Sequence, residues 1–113
     1  MIKGVNRITM IIRTKEPYAV WANSFKDSGP SYDLHEHRQS PTTYLIDVPP
    51  REVVLKKLIK RYWQPIFDEE LSGWMRDPNV WPASRTQEVF LEWFDVEISD
   101  LTLDLGRDYL IHD

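Results

Sequence analysis

The chain has no cysteine among its 113 residues, which excludes disulfides, thiolate metal sites and thiol nucleophiles. It also lacks a long apolar run. The strongest, Ile8 to Ile12, is interrupted by Thr9 and falls far short of the roughly 20 residues that span a bilayer. Its start, MIKGVNR, leads into a strand-like pattern with neither an apolar h-region nor a small-residue cleavage site, so the reading is a cytoplasmic protein with no membrane partner. No G-x-S-x-G, P-loop, G-x-G-x-x-G or H-E-x-x-H motif occurs, so the common nucleophile, phosphate, dinucleotide and zinc signatures are missing. A net charge of -4 argues against nonspecific nucleic-acid binding.

What is present fits an ordinary folded domain. With 42% apolar and 28% charged residues, neither disorder nor a fibrous class is favoured. The length suits one domain, residues 1–113, able to bury a core without staples. Charge is segregated along the chain. Residues 1–65 hold 11 Lys and Arg against 6 acids, a balance of +5, and residues 66–113 hold 3 against 12, a balance of -9. The basic half cannot offset the acidic half, so an acidic surface is expected to survive folding.

Period-two patterning over residues 6–13 puts Ile8, Met10 and Ile12 on one face and Thr9, Ile11 and Arg13 on the other, which predicts a central strand. Thr14 is the expected cap of a following helix whose apolar residues are Tyr18, Trp21, Ala22 and Phe25. The loop 26–31 ends that helix, and Ser31 is the expected cap of a short turn through Leu34 and Arg38. Residues 42–48 predict a second strand. Pro49 and Pro50 then suit the start of a helix with the stripe Leu55, Leu58, Ile59 and Tyr62, opposite Lys56, Lys57, Lys60 and Arg61. Pro65 lacks the donor for the Arg61 carbonyl, so a break or kink near Trp63 and Gln64 is expected. Asp68, Glu69 and Glu70 then belong to the first turn of a second segment.

Residues 77–84 read as a loop, with Ser84 and Gln87 as a capping box. Residues 86–94 fit helix or strand. From Phe94 the period is two, through Val96 and Ile98, and it flips parity at Ser99-Asp100 before Leu101, Leu103 and Leu105, which implies a bulge or turn. The order β-α-β-α(kinked)-α-β(β) predicts an α+β or small α/β fold, with helices on a three- or four-stranded sheet.

Three sets of side chains invite a chemical reading. Asp33, His35 and His37 would share one face of a strand and offer a facial metal site. In a helix, residues two apart point about 200° apart and cannot share an ion. The helical turn is the expectation, so no metal and no cofactor is assigned. Trp21, Trp63 and Trp93 fall on apolar stripes and read as core, whereas Trp74 and Trp81 sit beside Gly73 and Pro82 and read as exposed anchors. The acids Glu92, Asp95, Glu97, Asp100 and Asp104 read as the wet face of a half-buried element.

The stretches RTQEVFLEWFDVEISDL and RTKEPYAVWANS, with Trp81-Pro82, resemble a group of small bacterial proteins to which no activity is assigned. The resemblance implies a bacterial cytoplasmic origin and nothing about mechanism. The expected function is a non-enzymatic interaction or regulatory protein. Its docking residues would be Trp74, Trp81, Asp95, Glu97, Asp100 and Asp104, its partner a basic protein, and a homodimer is open to it. The alternative is a small metal-dependent or carboxylate-based hydrolase using Asp33, His35 and His37 or the Asp95/Glu97 pair.

Overall fold

A computed structural model describes residues 3–25 and 29–112. The elements in chain order are β1 (Lys3–Gly4), β2 (Arg7–Thr14), α1 (Glu16–Ala22), α2 (Leu34–Arg38), β3 (Thr42–Asp47), α3 (Leu55–Ser72), α4 (Gln87–Trp93), β4 (Phe94–Ser99) and β5 (Leu103–Asp104), with a 3₁₀ turn at Pro78–Val80 before α4. β2 is the middle strand of the sheet β3-β2-β4, and β1 pairs with β5 in a separate two-stranded ribbon. All of these pairings are antiparallel. The fold is therefore α+β.

The alternation in β2 explains the core. Ile8, Met10 and Ile12 are almost fully buried. In register, Met10 lies between Tyr44 and Ile98, and Ile12 between Thr42 and Val96. One sheet face is thus a row of mostly apolar cross-strand neighbours. Phe67 of α3, Phe90 of α4 and Phe94 of β4 are also fully buried, with ring centroids 5.0 to 5.8 Å apart. Burying each such side chain contributes about 1.5–3 kcal/mol. Tyr18 of α1 packs on Phe94 with 5.7 Å between ring centroids, so the helices and the sheet share one core.

Several local expectations are corrected. Thr14 ends β2, and the residue capping α1 is Lys15, without a side-chain bond. Asp33, not Ser31, caps α2 by accepting the Glu36 N–H. Residues 49–54 are not helical, and α3 begins at Leu55. Thr86 rather than Ser84 caps α4, accepting the Val89 N–H at 3.2 Å. Of the loop expected at 26–31, residues 26–28 lie outside the described residues, while Gly29 takes φ 94°, a value glycine adopts without strain.

The largest correction is α3, which runs unbroken through Pro65. Proline inside a helix costs about 3 kcal/mol. Here Leu58 and Ile59 before it and Ile66, Phe67 and Leu71 after it lie on one buried stripe. Breaking the helix would withdraw part of that stripe from the core, a loss larger than one hydrogen bond. Pro65 itself is exposed, so its ring displaces no core neighbour. At the other end of the chain, the parity flip after Ser99 marks the passage from one sheet to another: β4 ends there and β5 pairs with β1. Among the described residues no helix is long and apolar enough to cross a membrane.

Candidate functional site

Continuity of α3 decides where Glu70 points. At about 100° per residue, position 70 lies within about 20° of Ile59 and of Trp63 and about 40° from Ile66. A carboxylate therefore occupies the apolar stripe of the helix. Its two oxygens are met by β3: the Tyr44 hydroxyl donates to Oε2 at 2.6 Å and the Thr42 hydroxyl to Oε1 at 3.1 Å. The Tyr18 hydroxyl donates to the Glu70 backbone carbonyl. Among the described residues no Lys or Arg forms an ion pair with Glu70. Burial pushes its carboxyl above the usual range, and Glu69 adds to the rise, while the hydroxyls of Tyr44 and Thr42 oppose it. Tyr18, Tyr32 and Tyr44 are likewise held above the ordinary phenol value, first by burial and then by neighbours that include Glu70.

Glu70 borders a cavity of about 310 Å³ between β2, α2 and α3. Its aromatic wall is Tyr18, Tyr32, His37 and Trp74. Tyr32 is the centre of that wall. His37 stacks on it at 4.0 Å with 10° between the planes, and Trp74 meets it edge-on at 5.2 Å. The Tyr32 backbone is clamped by Asn23, which accepts its N–H at 2.7 Å and donates to its carbonyl at 3.1 Å. The Tyr32 and Thr14 hydroxyls are 2.7 Å apart. The Trp74 indole N–H donates to the Ala22 carbonyl at 3.0 Å. These bonds fix the wall before anything enters, which lowers the ordering cost of binding.

A second hollow of about 400 Å³ shares His37, Ser40 and Trp74 with the first and adds Asp33 and Glu36. Asp33, Glu36, Glu69 and Glu70 border the two hollows, and among the described residues no lysine or arginine does.

The residues singled out from sequence are distributed otherwise. Asp33, His35 and His37 are not brought together. Asp33 caps α2, the His35 Nε2 pairs with the Gln39 side chain at 2.9 Å, and His37 stacks on Tyr32. Among the described residues no group of three or more His, Asp and Glu is placed to hold a metal. Trp74 and Trp81 are half-buried, and the Trp81 indole N–H is taken by the Met75 carbonyl at 2.7 Å. They are wedged inward, with only part of each ring exposed.

The expected acidic patch is partly neutralised. Asp95 pairs with Arg38 at 2.8 Å and Glu97 with Arg13 at 2.9 Å. Asp104 accepts the Gly106 N–H at 2.8 Å, and Asp100 lies in the exposed bend after β4. The offset comes from arginines of β2 and α2, while Arg61 of the basic helix face is 3.6 Å from Asp47.

Sequence reasoning missed Glu70, Tyr18, Tyr32 and Tyr44 as site residues. The available signal was the fourfold spacing Ile59, Trp63, Phe67, Leu71 with Glu70 beside it, a pattern hidden once a break is assumed at Pro65. No family model, no curated protein and no solved structure significantly matches this chain.

Proposed function

We propose that this chain is a non-enzymatic interaction protein that holds part of its partner in the pocket over Glu70. The observation that carries the reading is a cavity of about 310 Å³ walled by Tyr18, Tyr32 and Trp74 and floored by a carboxylate on an otherwise apolar helix stripe. Concave, aromatic and fixed in advance, such a site suits capture of a small group. The acidic C-terminal strands take a secondary part in this reading, because Asp95 and Glu97 already have arginine partners. A cytoplasmic location belongs to the same proposal and rests on the cysteine-free sequence.

The test is a titration of small fragments, charged and neutral, followed through the Trp74 indole N–H and His37 ring resonances. Saturable shifts at those signals, weakened in Tyr32→Leu, are expected. Fragments that perturb only other surfaces would remove the pocket from the function.

A further inference from the structure

The charge around the pocket narrows what it can take. Four carboxylates border the paired hollows, and among the described residues none of those bordering them is Lys or Arg, while the Glu70 oxygens are met by the neutral hydroxyls of Tyr44 and Thr42. A partly buried carboxylate without a cation is a costly arrangement unless it is neutralised by a proton or a ligand. Tyr18, Tyr32 and Trp74 line the cavity, aromatic rings of the kind that attract an onium group, with His37 covering one face of Tyr32. An anion would meet repulsion from Glu69 and Glu70, and Arg38, which donates to the Thr14 carbonyl at the cavity's edge at 2.8 Å, is already paired with Asp95 at 2.8 Å.

We propose that the pocket binds a cationic group, an alkylammonium or guanidinium, with Glu70 as its counter-ion and Tyr32 and Trp74 as its walls. This rests on the binding reading above and deepens it. The cation displaces no protein partner of Glu70, because each oxygen keeps its hydroxyl donor and has a further lone pair to offer. The chain beyond the charge has room in the adjoining hollow, where Asp33 and Glu36 extend the same sign of potential. The source is either a basic side chain of a peptide or a free amine, since both present the same head.

The experiment compares n-butylammonium, the methylamide of N-acetyl-lysine, n-butanol and butyrate by NMR of the folded chain, reading the Trp74 indole. The two cations are expected to give saturable shifts, butanol and butyrate none, and Glu70→Gln to weaken the cations by about tenfold, the loss of one charge-assisted bond. A lysine amide that binds more tightly than butylammonium points to a peptide source, and equal binding to a free amine. Butanol binding as well as butylammonium, or unchanged cation affinity in Glu70→Gln, overturns the cation inference and leaves a ligand pocket. No response to either cation overturns it too, and the pocket reading is then judged by the fragment titration. If Glu70→Gln does not fold, Glu70→Asp, which draws the charge back by one methylene, must weaken cation binding for the inference to stand.

Discussion

The Tyr44 hydroxyl on β3 and the Glu70 carboxylate on α3 lie 2.6 Å apart, so the edge of the sheet and the last turn of its longest helix are joined through a charge that the helix stripe would otherwise exclude. Burial raises the Glu70 pKa and is the largest influence on it. The folded state therefore holds the proton more tightly than the unfolded chain, and the stability from that proton is fully present below the ordinary carboxylate pKa. It is lost as pH rises through the folded value.

Glu70→Gln removes this dependence. Gln keeps an acceptor for the Tyr44 hydroxyl and turns its amide to the Thr42 oxygen, which can accept. Thermal unfolding between about pH 4 and pH 8 should show the variant more stable than the parent near neutrality, with the difference shrinking toward acid. A difference independent of pH would show that the charge is not what Glu70 contributes.

How far the sequence reveals this site depends on one residue. The strands are legible because β4 alternates apolar with polar residues and Ile8, Met10 and Ile12 recur at every second position of β2, a period of two that fits a strand and not a helix. The cap positions fall two residues away at Asp33 and Thr86, since Ser, Thr and Asp are all competent caps and the choice among neighbours is made by packing. Pro65, weighed by its local cost alone, points to a break. The stripe from Leu58 to Leu71 outweighs that cost, and an assumed break moves Glu70 from the pocket floor to an exposed helix start. Tyr32 has no periodic context at all. Its place is set by Asn23 across a loop, which no local pattern encodes.

Pro65 gives a direct measure of that competition. Pro65→Ala restores a donor for the Arg61 carbonyl at an exposed position, so it should stabilise the fold by about 1–3 kcal/mol. Denaturant unfolding reads the change. Destabilisation would mean that the core requires a distortion the proline imposes.

Tyr62 offers an independent check on burial. Its hydroxyl is buried with no hydrogen-bond partner among the described residues, against a free-energy penalty of about 1–3 kcal/mol for an unsatisfied group. Tyr62→Phe should therefore leave stability unchanged or raise it, by up to about 1 kcal/mol. A marked loss in the same unfolding assay would reveal a partner for the hydroxyl.

The two candidate caps of α4 can be separated by truncating each. Thr86 accepts the Val89 N–H, so Thr86→Ala should cost about 1 kcal/mol. Ser84 is exposed and precedes the cap, so Ser84→Ala should cost almost nothing. The reverse order in a pair of melting curves would restore the capping box at Ser84.

The acidic strand supplies the last prediction, because its charges are tied to the fold. Asp95 is opposite Arg13 in the β2–β4 register and also pairs with Arg38, and Glu97 pairs with Arg13. Each exposed pair contributes about 0.2–1 kcal/mol, and like charges placed opposite one another across strands are destabilising. Asp95→Lys with Glu97→Lys should therefore lower stability by about 1–2 kcal/mol, with the loss reduced at high salt because these pairs are partly exposed. Asp100→Lys with Asp104→Lys should do less: Asp104 faces Lys3 across the two-residue β1–β5 ribbon and accepts the Gly106 N–H, but neither residue forms an ion pair among the described residues. Urea midpoints at low and high salt separate the two pairs of variants. Equal, small effects from both would mean that Asp95 and Glu97 are free in solution, which would return the whole acidic edge to the surface open to a basic partner.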